Sequence, residues 1–406
     1  MNNIPLGWSC LQFKYAFKAV PFTTKIKQKE YALTGQYPII DQGEYFIGGY
    51  SDNNYGLITD IPVIAFGDHT RRFKYIDFPF IPGADGLKIY KPIYSETKFS
   101  FYQCLTLEFP NRGYARHNAL LQKCHFYLPP LDEQGRIVEK IEELFSDIDN
   151  GIKDLKTAQA QIKQYRQSVL KSAFEGKLYK TSEWKEAILE QHIEEINYGT
   201  SEKTKDFGKI PVLRMGDIQE GKLVFNNLKY LDAVNDSKLL LKKGDLLFNR
   251  TNSAELVGKS AVFNNEGTYS FASYIIKVRC KNTLNSNFIC YYINSTAGRA
   301  WAKTQISQQV GQANINGTKL KNLSFLYPTI PEQQQIVAEI EKRFAVADEM
   351  EKAVNDNLLQ AEKLKQSILK QAFAGKLVPQ NPNDEPAAVL LERIKAAKEN
   401  STKGKK

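Results

Sequence analysis

In the first half of the chain, His69, Thr70, Arg71, Arg72 and Lys74 place four basic-capable side chains within six positions, directly after an apolar run at 63–66. Arg112, Arg116 and His117 form a second cluster, and Lys88 and Lys91 flank another strand-like run. In the second half, Asn249, Arg250, Thr251, Asn252 and Ser253 follow the apolar run 245–248, and Gln308, Gln309, Gln312 and Asn314 make an amide-rich stretch, with Arg214 and Asn316 as further candidates. Arginine matches the paired acceptors of guanine, and asparagine or glutamine the donor–acceptor edge of adenine. Lysine, arginine and small hydroxyls bond phosphate oxygens. These side chains, on loops that follow strands, point to nucleic-acid contact. A second role stays open for several of them: His69 and His117 as buried, hydrogen-bonded rings, Asn316 as a helix cap, and each cluster as a solvated loop.

The 406 residues suggest two to three domains, and 42% hydrophobic with 12% aromatic residues is enough apolar material for real cores. A net charge of +10 favours a polyanionic partner. The five cysteines, Cys10, Cys104, Cys124, Cys280 and Cys290, are odd in number and show no C-x-x-C spacing. That argues against a disulfide framework or a zinc ribbon and favours a reducing, cytoplasmic setting. The N-terminal residues lack a secretion-signal pattern, and no uncharged run is long enough for a membrane span.

Linear signatures of catalysis are missing. Pro129-Pro130 follows Leu128, so the Asn/Asp-Pro-Pro-aromatic run of adenine methyltransferases is absent. Gly258-Lys259-Ser260 resembles the end of a phosphate-binding loop, but Ser253 stands where that loop needs glycine. No His, Cys and carboxylate cluster has metal-ligand spacing. The expectation is a non-catalytic chain with no cofactor and no metal of its own. An enzyme with an unrecognised site and a coiled-coil scaffold are the competing readings.

The elements that must hold these loops are visible as an internal repeat. Pro129-Pro130-Leu131-Asp132-Glu133-Gln134 lies beside Pro328-Thr329-Ile330-Pro331-Glu332-Gln333, and Ala173-Phe174-Glu175-Gly176-Lys177-Leu178 beside Ala372-Phe373-Ala374-Gly375-Lys376-Leu377. All pairs share one offset of 199 positions without a gap, with about 20 of 51 positions identical. A period this long means a duplicated domain with a duplicated connector, not a solenoid. Each connector reads as one long helix, opened by proline and glutamate and closed by glycine. Apolar residues recur every seven positions at Ile141, Ile148, Leu155, Ile162 and Val169, and again at Ile340, Ala347, Val354, Ala361 and Ile368. Leu144, Ala158, Tyr165, Met350 and Leu364 add intermediate positions. This heptad predicts helix packed on helix. The predicted organisation is 1–128 and 181–327 as strand-rich domains, 129–180 and 328–378 as helical connectors, and 379–406 as a tail with a helix over 387–397 and disorder from 398. A faint echo links the two strand-rich domains: Trp8 with Trp184, and Tyr37-Pro38-Ile39-Ile40 with Ile210-Pro211-Val212-Leu213.

The alternation of variable domain and helix, with P-x-L/I-x-E-Q opening each helix and A-F-x-G-K-L closing it, resembles the specificity subunit of type I restriction–modification systems. The resemblance covers nearly the whole chain. It extends to Gly67-Asp68-His69-Thr70-Arg71-Arg72 and Gly113-Tyr114-Ala115-Arg116-His117, and to Gly244-Asp245-Leu246-Leu247-Phe248-Asn249-Arg250-Thr251 and Gly311-Gln312-Ala313-Asn314-Ile315-Asn316. It implies an α+β fold of two mixed α/β target-recognition domains, separated by two long helices paired as an antiparallel coiled coil, with pseudo-two-fold symmetry. It implies that each domain reads half of a bipartite asymmetric target on double-stranded DNA. Two methyltransferase subunits and further restriction/translocase subunits are the implied partners, carrying S-adenosylmethionine, ATP and Mg2+; a related methylation-only or type II-like system is the alternative. Docking is expected on the outer helix faces around 133–145 and 332–344, at Glu133, Phe145, Glu332 and Phe344, and at Phe174 and Phe373. Those last two phenylalanines serve equally well as closures of the coiled-coil ends.

Overall fold

The computed structural model describes residues 4–110, 113, 115–180, 183–309 and 312–403, with the side chains of 308, 309 and 397–403 outside that description. Two helices dominate: the first connector, Leu131–Phe174, has 44 residues and the second, Ile330–Ala372, has 43. At 1.5 Å per residue each spans about 65 Å. Both end alike. Gly176 and Gly375 take φ of 70° and 68°, and Lys177 N–H and Lys376 N–H reach back to the Ser172 and Gln371 carbonyls at 2.9 Å each. This is the Schellman closure that glycine permits without steric cost.

Both helices also begin alike, and here the repeated Glu-Gln finds its reason. Gln134 and Gln333 are buried at 1% and 0% exposure. The Gln134 amide donates to the Pro129 carbonyl at 3.0 Å and accepts from Glu96 N–H at 3.3 Å. The Gln333 amide donates to Pro328 at 2.9 Å and accepts from Asn285 N–H at 2.8 Å. Glu96 and Asn285 are the residues that open the helices Thr97–Cys104 and Ser286–Asn294. One amide therefore ties each connector to the domain before it.

The chain divides into two units, residues 1–155 with 356–406, and residues 156–355, so each holds one globular domain and part of both connectors. In the first unit a four-stranded antiparallel sheet runs in the order Phe17–Ala19, Leu87–Pro92, Val63–Gly67, Phe73–Ile76. Tyr37–Ile40 lies in a smaller sheet, antiparallel to Gly49–Ser51 and parallel to Ile81–Pro82. Ser9–Gln12 pairs with His125–Leu128. The core joins Phe13, Phe99, Phe126 and Trp8 to Ile137, Val138 and Ile141 of the first connector and Ile368, Leu369 and Ala372 of the second. Asp149 pairs with Lys365 at 2.5 Å.

The second unit repeats this topology. Its four-stranded sheet runs Ile193–Tyr198, Ile275–Cys280, Asp245–Asn249, Ser260–Phe263. Ile210–Leu213 lies antiparallel to Lys229–Leu231 and parallel to Ser270–Phe271, and Lys185–Ile188 pairs with Ser324–Tyr327. Val169, Leu170 and Ala173 share a core with Ile336, Val337, Ile340 and Phe344. Gln159 bonds Asn355 at 2.7 Å, and Arg166 bridges Asp348 and Glu351 at 2.7 and 2.8 Å. Within each unit, then, partners on one helix descend as those on the other ascend, and the helices are antiparallel. The faint echo marks true equivalence, because Tyr37–Ile40 and Ile210–Leu213 are the same central strand.

Two expectations need revision. Every heptad position named above is buried or half-buried, but Tyr165, Met350 and Leu364 are 39%, 53% and 51% exposed. A helix with one antiparallel neighbour buries a single stripe, so these three intermediate positions turn outward, whereas Leu144 and Ala158 stay half-buried. The tail helix, Ala387–Lys403, continues past residue 397 where disorder was expected; its Lys and Glu residues are good helix formers. It is anchored at its start, where Ala387 and Leu391 join the first unit's core and Asp384 pairs with Arg136 at 2.5 Å.

The buried amides generate a test. Gln333→Leu keeps the shape but strands the Pro328 carbonyl and the Asn285 N–H, so it is expected to destabilise the chain by about 2 kcal/mol. Urea denaturation of the variant checks this.

Candidate nucleic-acid interface

In the first unit the fully buried strand Val63–Gly67 delivers the turn 68–72 to the surface. Asp68 is the staple behind it: its carboxylate accepts from His117 N–H at 2.8 Å and Asn118 N–H at 2.6 Å, fixing the turn to the second cluster. Thr70 Oγ1 donates to the Gln42 carbonyl at 2.6 Å and His69 N–H to Gln42 Oε1 at 3.1 Å. Arg71 adopts φ 63°, a left-handed conformation costing a non-glycine residue roughly 1 kcal/mol, and its guanidinium reaches the Phe109 carbonyl at 3.5 Å. Arg72 is exposed and pairs with Glu44 at 2.9 Å. Lys88 and Arg116 are exposed. Arg116 lies in the field of Asp85, whose carboxyl is held below the usual range first by its hydrogen bond with Lys25, then by the charges of Lys25, Lys27 and Arg116. The two predicted clusters are thus brought together around Gln42, Asp68 and Asp85.

Some candidates belong to the interior. Lys74 is 6% exposed; on the alternating strand Phe73–Ile76 it faces inward, donating to the Asp41 and Tyr45 carbonyls at 2.7 and 2.6 Å. Burial pushes its pKa down. His117 is fully buried, with ring nitrogens 3.1 Å from the Asp68 carbonyl and 3.2 Å from the Pro110 carbonyl. Lys91 is held by Asp60. Arg112 lies outside the described residues.

In the second unit the equivalent strand, Asp245–Asn249, delivers Arg250, Thr251 and Asn252. The sheet pairing places the amide-rich stretch beside them: Thr251–Asn252 is antiparallel to Gln312–Asn314, which is antiparallel to Ser307–Gln309. Asn314 donates from Nδ2 to Thr251 Oγ1 at 2.8 Å. The side chains of Gln308 and Gln309 lie outside the described residues. The Arg250 guanidinium sits 4.7 Å over the Tyr198 ring, a cation–π arrangement that orients it without consuming a hydrogen bond. Tyr198, 45% exposed, was missed in the sequence because only strand pairing brings it to Arg250. Gln312 and Ser253 are exposed. Arg214 donates to the Asn227 carbonyl at 2.8 Å.

Here too the structure buries one candidate, and gives another the second role left open for it. Asn249 is fully buried as the last residue of an interior strand, and neither amide atom has a hydrogen-bond partner. Asn316 accepts from Lys319 N–H at 2.9 Å as the cap of the helix Gly317–Lys321. What remains at this surface is Arg250, half-buried and stacked on a ring, with the half-buried Thr251, Asn252 and Asn314 and the exposed Ser253 and Gln312, a set able to match base edges.

The model of the type I restriction modification DNA specificity domain matches residues 21–157 and again 183–360. The chain belongs to this family. Relatives of the specificity-domain family include the StySPI specificity subunit of a type I restriction enzyme from Salmonella potsdam, 32% identical over 290 residues. The match covers 66% of this chain and 63% of that relative. The EcoKI specificity subunit from Escherichia coli K12 is 32% identical over 294 residues, with the same coverage of 66% and 63%. The chain therefore matches under two thirds of the length of these relatives. A solved chain from work on assembly and conformational transition of the type I R-M system is similar in fold, with a TM-score of 0.67, 17% identity, and coverage of 92% of this chain and 99% of that one.

The four phenylalanines, Phe174 and Phe373 at the C-terminal helix ends and Phe145 and Phe344 inside the helices, contact the chain's own domains. Phe174 meets Phe288 edge-on with ring centroids 5.2 Å apart, and Phe373 meets Phe99 at 5.4 Å. Phe145 meets Tyr102 at 5.8 Å and Phe344 meets Tyr291 at 5.7 Å. Glu332 caps its helix by accepting from Thr329 N–H at 3.0 Å. Glu133 is only 1% exposed and accepts from Trp8 Nε1 at 3.1 Å, so it offers no outer docking face. Burial pushes its carboxyl pKa up, against the lowering effects of the Trp8 hydrogen bond and Arg136.

A carboxyl whose pKa is raised on folding costs stability as pH climbs through the unfolded and then the folded value. Glu133→Gln keeps an acceptor for Trp8 and removes that cost. The variant is expected to have a higher urea midpoint than the unmodified chain at pH 7, with the gain vanishing below about pH 4. Equal midpoints at both pH values would contradict the assignment.

Proposed function

We propose that this chain is the DNA-reading, non-catalytic subunit of a type I restriction–modification complex. One observation carries the reading. The same strand of the same sheet ends in His69, Thr70, Arg71 and Arg72 in one unit, and in Arg250, Thr251 and Asn252 in the other. One topology presenting two different polar sets suits an asymmetric target with two unlike half-sites. In this reading the helical connectors would set the spacing between the half-sites. A net charge of +10 suits a phosphate backbone.

Methyltransferase subunits, two per complex, are proposed to pack on the connectors, with restriction/translocase subunits joining them. The exposed apolar residues Val346, Met350, Leu359 and Leu364 support such a contact better than Glu133 and the inward-turned phenylalanines. S-adenosylmethionine, ATP and Mg2+ then belong to the partners. Among the described residues no three His, Cys, Asp or Glu side chains group as metal ligands, and no helix is long and apolar enough to cross a membrane. A reducing, cytoplasmic setting agrees with five free cysteines.

Capture of the tagged chain from its host, paired with sequencing of methylated adenines, tests this. Co-purification of a methyltransferase, with loss of methylation at one bipartite motif when the gene is deleted, is the expected result. Capture of the chain alone with an unchanged methylation pattern would overturn it.

A further inference from the structure

Among the described residues, the large apolar side chains with the highest fractional exposure in each unit occupy the same place in the fold. Leu33 is 96% exposed and Phe207 85%. Each lies on the loop leading into the central strand of the three-stranded sheet. In the first unit Tyr50 pairs with Pro38 on one side and Ala32 on the other. In the second, Tyr230 pairs with Pro211 and Lys205 in the same way. Both loops therefore wrap over the edge of an equivalent strand. Both contain a glycine that close approach requires: a Cβ on Gly35 would lie 3.1 Å from Tyr50 and Ser51 atoms, and one on Gly208 would lie 2.8 Å from Tyr230 and Leu231 atoms.

Both loops also carry more lysine than carboxylate. Lys25, Lys27 and Lys29 precede Leu33 beside Glu30, and Lys203, Lys205 and Lys209 flank Phe207 beside Glu202 and Asp206, all six lysines exposed; Lys205 pairs with Asp232 and Asp206 with Lys229. Each loop adjoins the candidate interface. Lys25 pairs with Asp85, whose carbonyl holds Gln42 at 2.7 Å, the residue that supports His69 and Thr70. In the second unit Ser273 N–H bonds the Thr200 carbonyl at 2.8 Å, and Arg250 N–H the Tyr274 carbonyl at 2.9 Å.

We infer that these loops are a second DNA-contacting element of each domain, their lysines on phosphates and their apolar tips, Leu33 and Phe207, against the bases in the groove. The inference rests on the DNA-reading function proposed above. Lysines around an apolar tip favour a polyanion with apolar faces within reach; thymine methyls and base steps provide those faces.

The test uses the full-length chain and two probes: a duplex pool enriched from a random library by the unmodified chain, and an unselected random duplex. Lys203→Gln/Lys209→Gln is expected to flatten the dependence of log affinity on log salt by about 2 on both probes. Phe207→Ser and Leu33→Ser are each expected to weaken the enriched duplex about tenfold with the salt slope unchanged. Circular dichroism and thermal midpoints matching the unmodified chain establish that the variants fold. Loop variants that bind both probes like the unmodified chain, while Arg250→Ala weakens the enriched one, would overturn this inference and leave the proposed function standing. The same holds if they lose only methyltransferase co-purification, which would assign the loops to a protein contact. An unmodified chain that binds neither probe would overturn the function and the inference together.

Discussion

Each connector begins at a buried glutamine amide that bonds both the carbonyl before its own helix and the N–H opening a helix of the preceding domain. The rest of the architecture depends on this double attachment. A helix joined to a domain only by a flexible loop would not share that domain's core. Bonded at its first turn and packed along Ile137 and Ile141, or Ile336 and Ile340, the start of the helix becomes part of that domain's core. Loss of either amide partner would leave a buried polar group unpaired, which is why the pair of residues is hard to replace singly.

The duplication separates what must stay from what is free to vary. Helix starts, glycine closures and heptad residues carry the shared mechanics, and they remain similar between copies. The ends of the strands Val63–Gly67 and Asp245–Asn249 carry different polar residues on the same framework. Their supports differ too. Asp68 and Gln42 staple the first turn through hydrogen bonds, whereas Tyr198 positions Arg250 by stacking. A polar turn can therefore be exchanged without disturbing the core beneath it.

Much of this was legible in the sequence. The repeat offset placed both helices, because a seven-residue apolar spacing and a proline–glycine bracket are local signals. The strand-rich domains were legible only as strand-rich. Their shared topology depends on pairings between distant strands, such as Tyr37–Ile40 with Ile81–Pro82, which leave little trace in local pattern. The candidate clusters were legible as polar segments that follow strands; the structure buries Lys74 and Asn249, and takes for His117 the buried-ring role that the sequence left open. Residue type and density mark a polar cluster but not its burial: the two-residue period of a strand turns Lys74 inward, Asn249 closes a strand buried at every position, and His117 sits at the start of the helix Asn118–Leu121. The Trp8–Glu133 pair shows the same limit: a charged residue near a helix start reads as surface until its partner is known.

The central claim is that two equivalent domains each read a separate stretch of one DNA molecule. Its most direct test is deep sequencing of duplexes selected from a fully randomised library by the full-length chain, beside the variant Arg250→Ala. The account requires two short preferred tracts separated by indifferent positions, with the variant losing preference in one tract alone. A single continuous motif, or a loss spread equally over both tracts, would contradict it.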